Sequence, residues 1–155
     1  MSFMRLLWAV AHGLDSTSKR MRAELGVTGP QRLVLRLVGH YGELSPGALA
    51  ELLHIDPSSL TGILQRLESA GLLRRVSDPA DGRRAILTLR KKGRDLNIRR
   101  GRTVEESVRR ALSSLSRAKI AAARDVLKTL ADELENTPSK SSKERRSYKQ
   151  RRATG

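Results

Sequence analysis

The chain has 155 residues, which is enough for one domain with a sizeable hydrophobic core and too few for two. It carries 31 Lys and Arg against 16 Asp and Glu, and the resulting net charge of +15 favours a polyanionic partner. Residues 137–155 hold seven basic residues and one acidic residue, so the remaining chain still carries +9 and is basic in its own right. Nucleic acid is the leading partner class, and a membrane surface is the weaker alternative.

The chain contains no cysteine, which excludes disulfides, thiolate metal sites and cysteine-based oxidant sensing within it. The apolar run in residues 1–12 is short, is broken by His12 and is not followed by a convincing cleavage site. It therefore predicts the start of a helix rather than a secretory signal. No run reaches the roughly 20 apolar residues that a membrane span needs. We expect a cytoplasmic protein with no membrane partner.

The first predicted helix covers residues 3–25 and ends at Gly26. Its polar stretch, residues 15–19, interrupts the apolar pattern, so one bent helix and two separate pieces are both possible. The apolar positions are Leu7, Val10, Leu14, Met21 and Leu25. A long amphipathic helix at one end of a small domain needs a further surface to cover its apolar side.

Two shorter helices follow. The sequence TGPQ at residues 28–31 has the form of a capping box and begins a helix that ends near Gly42. Ser45 followed by Pro46 begins the next helix, which runs to Leu53. The positions expected to face inward on the first of these helices are Leu33, Leu37 and Val38. Two short helices joined by a tight link, as residues 46–69 predict, are the pattern of a helix-turn-helix.

The second helix of that motif begins at Asp56-Pro57, a capping acceptor followed by the imino acid suited to the first helical position, and ends at Gly71. Its buried stripe is Leu60, Ile63, Leu64 and Leu67. The opposite face is short-chained and consists of Ser58, Ser59, Thr61, Gly62, Gln65, Arg66 and Ser69. Side chains of this size let a helix enter a nucleic-acid groove, whereas the alternative is a solvated surface helix.

Two strand-like runs, residues 72–76 and 85–89, flank a segment that is dense in turn-forming residues. That segment, residues 77–84, reads SDPADGRR and ends in two arginines. The pattern predicts a β-hairpin with a basic tip directly after a groove-sized helix. Such a hairpin is typical of the wing of a winged helix-turn-helix.

This segment resembles the MarR family of bacterial transcription regulators. The wing of that family reads Asp-x-Arg, then an apolar strand, then Leu-Thr-x-x-Gly. Here Asp81-Gly82-Arg83 and Leu89-Arg90-Lys91-Lys92-Gly93 occupy those places, with Arg90 where the family has Thr. The resemblance covers roughly residues 5–135, and its most specific part is residues 56–89.

Two further helices are predicted after the hairpin, one over residues 93–113 and one that begins after a Ser116 cap and runs to Leu134. The apolar side of the first is Ile98, Val104, Val108, Ala111 and Leu112. That of the second is Ile120, Ala123, Val126 or Leu127, Leu130 and Leu134. Residues 137–155 lack apolar periodicity and should form a basic, disordered tail.

The predicted fold class is mainly α with a small β-hairpin wing. The resemblance implies a single domain, residues 1–136, in which a winged helix-turn-helix over about 28–90 lies between N- and C-terminal dimerisation helices at about 3–25 and 94–134. It further implies a homodimer that presents two recognition helices to half-sites one DNA turn apart on a pseudo-palindromic operator. The implied function is repression of transcription through sequence-specific binding to double-stranded DNA.

The resemblance also implies release or modulation by a small molecule. Effectors of the family, such as small aromatic acids, bind between the dimer helices and the winged domain. Trp8 and His12 lie four residues apart and share one face of the first helix, so they are candidates for lining such a pocket. The alternative for Trp8 is a buried core residue.

The resemblance assigns DNA-contacting roles to the wing. It implies that Arg83 enters the minor groove, where the narrow, negative surface suits a guanidinium, and that Asp81 braces it. The alternative for Arg83 is an exposed turn arginine. Arg84 is either a phosphate contact or the start of a strand. Arg74 and Arg75 alternate across a strand, so one of them should face DNA or brace the wing while the other faces solvent.

The predicted recognition helix supplies the remaining candidates. Gln65 suits adenine and Arg66 suits guanine in the major groove. Ser58, Ser59 and Thr61 lie near the helix start, where hydroxyls and backbone N–H groups suit phosphates or base edges. Gly62 permits a close approach, and the alternative is a simple loss of helix propensity of about 1 kcal/mol.

No enzyme, metal or cofactor signature is present. The three histidines, His12, His40 and His54, share no metal-ligand spacing. No Ser-His-Asp order, phosphate-cradling glycine loop or HExxH motif occurs. The remaining rival is an architectural, non-specific nucleic-acid binder dominated by its charge. The basic tail either strengthens DNA binding by neutralising phosphates or is a solvated end without effect.

Overall fold

The computed structural model describes residues 1–99 and 101–136, which belong to two compact units. The first unit, Met1–Ser113, contains six described helices and a two-stranded antiparallel sheet. The second unit, Ser114–Gly155, is described as far as residue 136 and contains one described helix. The predicted basic tail, residues 137–155, lies outside the described residues.

The described elements follow the chain as four helices, a hairpin and three helices. They are α1 (Ser2–Leu25), α2 (Gly29–Tyr41), α3 (Pro46–Leu53), α4 (Pro57–Ser69), β1 (Leu73–Ser77), β2 (Ala85–Leu89), α5 (Lys91–Ile98), α6 (Val104–Ser113) and α7 (Arg117–Asn136). The predicted fold class, mainly α with a β-hairpin, is confirmed. The predicted bounds of these elements agree with the observed bounds to within two residues, except in the segment between the hairpin and α6.

Helices α2, α3 and α4 enclose one hydrophobic core together with the hairpin. The predicted stripe of α4 is confirmed at Leu60, Leu64 and Leu67, which are at most 1% exposed, and Ile63 at its margin is half-buried. The other core members include Val34, Leu35, Val38, Leu44, Leu49, Leu72, Leu73 and Leu87. Burying a leucine side chain contributes about 1.5–3 kcal/mol. The inner face of α4 therefore fixes this helix and leaves its outer face free for contact.

A tight turn joins α3 to α4. His54 adopts the left-handed conformation, with φ 50° and ψ 50°, and its N–H donates to the carbonyl of Glu51 at 3.1 Å. Asp56 stands at the N-cap of α4, but its side chain makes no capping hydrogen bond, so the predicted capping acceptor is wrong. The helix start relies instead on the Asp56 carbonyl, which accepts from the Leu60 N–H at 3.1 Å, and on the fixed φ of Pro57.

The junction of α1 and α2 is as the sequence predicts. Helix α1 is one continuous helix rather than two separate pieces. Gly26 ends it with a left-handed φ of 75°. Thr28 Oγ1 accepts from the Gln31 N–H at 3.4 Å, and Gln31 Oε1 accepts from the Thr28 N–H at 2.9 Å. This reciprocal pair confirms the capping box.

The inward face of α2 differs from the prediction. Leu33 is 43% exposed, Leu37 is half-buried, and the buried positions besides Val38 are Val34 and Leu35. Apolar residues are almost continuous from Leu33 to Val38, so their spacing alone does not fix the rotation of the helix. The helix also buries a charged residue, Arg32, which lies about 100° around the helix from Leu33, on the side of Leu35.

Most large apolar side chains of α1 are uncovered. Met21 is its one buried residue, and Trp8 is 71% exposed, so the alternative that Trp8 is a core residue is wrong within this chain. The other exposed large apolar residues of this helix are Phe3, Met4, Leu6, Val10 and Leu14. Only the C-terminal part of α1 therefore contributes to the core of its own chain.

The single helix predicted over residues 93–113 is divided into α5 and α6, which is a correction. Gly101 and Arg102 take positive φ values of 90° and 52°, which a helix cannot continue through. Buried Thr103 then starts α6, because its Oγ1 accepts from the Glu106 N–H at 3.2 Å. The Thr-x-x-Glu spacing of residues 103–106 is the sequence signal that identifies this helix start.

Gly93, the glycine of the Leu-Thr-x-x-Gly motif, allows α5 to pack on the hairpin. A Cβ atom at this position would collide with the carbonyl oxygen of Leu72. The same carbonyl accepts from the Arg90 N–H at 3.0 Å. Arg90 is the N-cap of α5 and makes no side-chain capping bond, so it does not replace the threonine of the motif. The close approach of two backbones explains why glycine is needed here.

Candidate nucleic-acid interface and the adjoining cavity

The outer face of α4 carries most of the side chains predicted to contact DNA. Ser58, Thr61, Gln65 and Arg66 are exposed. At 100° per residue, the positions most directly opposite the buried leucine stripe are Ser58, Gly62, Gln65 and Ser69. An amide and a guanidinium at this face can pair with the major-groove edges of adenine and guanine. The helix therefore presents a surface of short side chains with two long donors at one end.

Two details of this face bear on how closely it can approach a partner. The Thr61 hydroxyl donates to the carbonyl of Pro57 at 2.8 Å, so its proton is used within the helix. A Cβ atom at Gly62 would meet only Arg66 Nη2, at an ordinary distance of 3.7 Å. No packing within the described part of the chain requires glycine at position 62. The missing side chain leaves a shallow depression on the outer face.

The tip of the wing is shaped by two aspartates that accept from nearby backbone groups. Asp81 Oδ1 accepts from the Arg83 N–H at 3.1 Å, and the Asp81 carbonyl accepts from the Arg84 N–H at 2.8 Å. Asp78 Oδ1 accepts from the Ala80 N–H at 2.8 Å. Asp81 therefore fixes the loop backbone next to Arg83, whose side chain is exposed.

The base of the wing is tied to α4 by an ion pair. Arg75 Nε lies 3.2 Å from Glu68 Oε1, whereas Arg74 Nε donates to Thr88 Oγ1 at 3.2 Å across the hairpin. Arg74 and Thr88 are paired in the strand register. Of the two alternating arginines, Arg75 thus holds the wing against α4. Its placement favours a bracing role.

A cavity of about 590 Å³ lies behind α4, between the C-terminal half of α1, the start of α2 and the start of α6. Ser59 and Ile63 of α4 line it, so Ser59 lies on the side of the helix that faces the cavity. The other lining residues are Leu14, Asp15, Ser18, Gly29, Pro30, Leu33, Leu53, Ile55, Val104 and Glu105. The wall is mainly apolar and has a few polar groups, as in small-molecule sites of this size.

One buried arginine connects α2 with the turn between α5 and α6. Arg32 is 3% exposed, and its Nη1 and Nη2 donate to the carbonyls of Leu96 at 2.7 Å and Arg99 at 2.6 Å. Its Nε lies 3.1 Å from Glu105 Oε1. Arg32 therefore satisfies the C-terminal carbonyls of α5 and places its charge next to a cavity-lining carboxylate. The apolar pattern of α2 gives no sign that this arginine is buried.

The two predicted effector-pocket residues lie elsewhere. Trp8 and His12 are exposed on α1 and are not part of the cavity lining. His12 Nε2 lies 3.5 Å from Ser16 Oγ, one turn along the same helix. Leu14 and Asp15, further along α1, line the cavity instead. The effector-binding role of Trp8 and His12 stays a prediction, and the cavity is lined by a later part of the same helix.

Two structural features are absent from the described part of the chain, a grouping of metal ligands and a membrane-length apolar helix. Within residues 1–99 and 101–136, no three His, Asp or Glu side chains are grouped so as to hold a metal ion. No helix in the same residues is long and apolar enough to cross a membrane.

A recognition helix with a free outer face, joined to a hairpin with an arginine tip, defines a winged-helix DNA-binding protein. The chain matches the family model described as MarR family over residues 25–84. It is 36% identical over 108 residues to the HTH-type transcriptional regulator FarR of Neisseria gonorrhoeae, covering 70% of this chain and 74% of FarR. The chain belongs to the MarR family and is a DNA-binding transcriptional regulator rather than an enzyme.

A second relative is matched over a smaller part of its length. The chain is 34% identical over 90 residues to the HTH-type transcriptional regulator TtmR of Methylorubrum extorquens, which covers 58% of this chain but only 46% of TtmR. The chain thus spans less than half of that relative.

Solved structures share the fold. The PcaV transcriptional regulator of Streptomyces coelicolor, in complex with its natural ligand, has a TM-score of 0.67 at 28% identity and covers 82% of this chain and 89% of PcaV. The S. aureus MepR–DNA complex has a TM-score of 0.71 at 19% identity and covers 86% of this chain and 99% of MepR. At 19% identity, the similarity to MepR shows a shared fold and no more.

Proposed function

We propose that the chain is a transcriptional repressor that binds a pseudo-palindromic operator as a homodimer and is released by a small molecule. The observation that carries the DNA-reading part is the division of α4 into a buried leucine stripe and a free outer face next to an arginine-tipped wing. In this proposal Gln65 and Arg66 read base edges in the major groove. Arg83 enters the adjacent minor groove, and Ser58 and Arg84 contact the backbone.

The exposed apolar surface of α1 supports the homodimer. A helix of 24 residues is about 36 Å long, and its large apolar side chains are uncovered along its first half. An open groove of about 640 Å³ on the same unit is lined by Leu33, Val104, Val108 and Leu112. A second copy of the chain would cover such surfaces and would bring a second α4 onto the DNA. Half-sites one helical turn apart, about 34–36 Å, fit this arrangement.

The cavity behind α4 supports control by a small molecule. Leu14 from α1 and Ser59 and Ile63 from α4 line the same space, so an occupant would touch both a proposed dimerisation helix and the recognition helix. A ligand that binds one arrangement of these helices more tightly shifts the population toward it. PcaV, a structural neighbour, is a transcriptional regulator with a natural ligand.

The decisive experiment is protection of the DNA upstream of the protein's own gene, titrated against scrambled competitor at two salt concentrations. We expect two protected half-sites in one pseudo-palindromic stretch and a preference over scrambled DNA of about 10³ or more. Equal binding to every sequence, lost in parallel as salt rises, would contradict the proposal and favour a non-specific binder.

A further inference from the structure

Leucine, isoleucine, valine and proline side chains make up most of the wall of the cavity behind α4. The lining side chains with polar groups are those of Asp15, Ser18, Ser59 and Glu105. No Lys, Arg or His in the described part of the chain lines the cavity. The charge that a ligand can carry there therefore depends on whether Asp15 and Glu105 are already paired within the protein.

The charge of Glu105 is balanced inside the fold. Both of its carboxylate oxygens are shielded from solvent, and Oε1 lies 3.1 Å from Nε of the buried Arg32. The other two guanidinium nitrogens of Arg32 donate to the carbonyls of Leu96 and Arg99, which hold the guanidinium in place. The carboxylate is thus turned toward a fixed cation, and Glu105 presents its hydrocarbon stem to the cavity.

Asp15 and Ser18, on α1, are also engaged within the protein. Asp15 Oδ2 lies 2.8 Å from Lys19 Nζ on the exposed side of the helix. The hydrogen bond from Lys19 to Asp15, together with their charge attraction, raises the pKa of Lys19 above its ordinary value. Ser18 Oγ accepts from the Gly29 N–H at 2.8 Å. The cavity therefore has polar groups at its edge but offers a ligand no free counterion of either sign among the described residues.

We propose that the cavity takes an uncharged ligand, with an aromatic or aliphatic body and one neutral polar group that meets the hydroxyl of Ser59. This serine is exposed on α4, and its hydroxyl can both donate and accept. An ionised ligand would lose hydration against the apolar wall without gaining a counterion, which disfavours acids and amines alike. The volume of about 590 Å³ accommodates a drug-sized molecule. This ligand class differs from the small aromatic acids that the family resemblance implies. The regulatory meaning of the binding rests on the proposed function, but the binding itself does not.

The test uses three probes with one apolar body and different charges, titrated calorimetrically into the full-length protein without DNA. The probes are 1-naphthalenemethanol, 1-naphthoic acid and 1-naphthylmethylamine. We expect the alcohol to bind about tenfold more tightly than either ion, because only the alcohol enters the cavity without giving up the hydration of a charge. The net charge of +15 favours the acid elsewhere on the protein, so weaker binding of the acid must arise from the cavity itself.

Two serine variants locate the binding. Ser59→Ala removes a hydroxyl from the cavity wall and should weaken binding of the alcohol about threefold to tenfold, the loss expected for one neutral hydrogen bond. Ser58→Ala is the matched control, because Ser58 is the preceding residue of α4, is also exposed and does not line the cavity. It should change the affinity for the alcohol by less than about twofold. Thermal melting of each variant checks that it folds.

Any of several results would overturn the proposal. Binding of the acid or of the amine as tightly as the alcohol would show that the cavity does not select against charge. No binding of the alcohol at millimolar concentration, or equal affinities of the two serine variants for it, would show that this wall is not the binding site. Because no DNA is present, these outcomes are independent of whether the chain reads an operator. Loss of operator specificity would contradict the proposed function and leave the ligand result standing.

Discussion

The guanidinium of Arg32 reaches the carbonyl oxygen of Leu96 at 2.7 Å, which links the first turn of α2 to the end of α5 across 64 residues. A second nitrogen reaches Arg99, and the third lies against Glu105 at the start of α6. One buried side chain therefore sets the direction in which the chain leaves the winged domain. Since α6 lines both the cavity and the groove beside it, this arginine positions both surfaces.

Replacing Arg32 should destabilise the fold strongly. In Arg32→Ala, two carbonyls lose their donors and Glu105 loses its counterion. We expect the free energy of unfolding to fall by about 2–3 kcal/mol, somewhat less than for fully buried pairs because Glu105 is partly exposed. Urea unfolding measures this change. Arg36→Ala is the matched control, because exposed Arg36 donates to the Asn97 carbonyl at 3.1 Å one turn further along α2, and its loss should cost under about 1 kcal/mol. Equal effects of the two variants would contradict the role given to Arg32.

The contrast between Arg32 and its neighbour Leu33 shows where sequence reasoning fails. A charged residue next to a continuous apolar run is expected outside, yet Arg32 is buried because distant carbonyls need donors. Those partners are more than 60 residues away, so no local pattern contains them. Where signals are local, the prediction holds: the capping box at Thr28 and the leucine stripe of α4 are both confirmed. The helix start at Thr103 was missed although its local signal is present.

Gly93→Ala should destabilise the joint between α5 and the hairpin. The added Cβ has no room beside the Leu72 carbonyl oxygen, and backbone atoms cannot move aside as a flexible side chain can. We expect a loss of about 1–3 kcal/mol in the free energy of unfolding, seen as a lower Tm. Gly47→Ala on α3 is the control, since nothing lies within 4 Å of its added Cβ and the change should be neutral or slightly stabilising. An unchanged Tm for Gly93→Ala would show that the two backbones can separate without cost.

Gly62→Ala should move folding stability and DNA affinity in opposite directions. Alanine favours the helix by up to about 1 kcal/mol, and its Cβ meets no close neighbour within the described part of the chain. If the outer face of α4 lies deep in the major groove, the same methyl group holds it away. We expect a higher Tm together with roughly tenfold weaker operator binding, the equivalent of about 1.4 kcal/mol. A higher Tm with unchanged affinity would mean that position 62 does not face the DNA closely.

Trp8→Glu should dissociate the proposed homodimer. The indole is largely exposed on the apolar side of α1, and a carboxylate in its place would be buried without a partner in a dimer interface. We expect the mass in solution, measured by light scattering after gel filtration, to fall from about twice 17.2 kDa to the monomer value. Trp8→Phe keeps the apolar surface and should remain dimeric. A dimer that survives Trp8→Glu would place the interface elsewhere on the chain.

The residues of the interface differ in how far the sequence could identify them. Asp81 and Arg83 belong to a local motif whose backbone geometry follows from turn chemistry, so the loop was predictable. Ser59 was grouped with the DNA-facing residues; it is exposed, and it also lines the cavity. The helical wheel places it at the margin of the outer face, and only the packing of α1 and α2 decides which surface that margin joins. The cavity is formed by segments that lie far apart in the sequence, so no local sequence pattern predicts it.

Arg83→Ala should weaken operator binding without changing the fold. Its side chain is exposed at the wing tip, and the Asp81 carboxylate binds the backbone N–H, which alanine retains. We expect about a tenfold loss of operator affinity and an unchanged Tm. Lys91→Ala removes the same charge from α5, where Lys91 pairs with Asp95, and should change affinity less than twofold. If the two variants weaken binding equally, and both do so on scrambled DNA, the protein binds through its overall charge and the wing has no specific role.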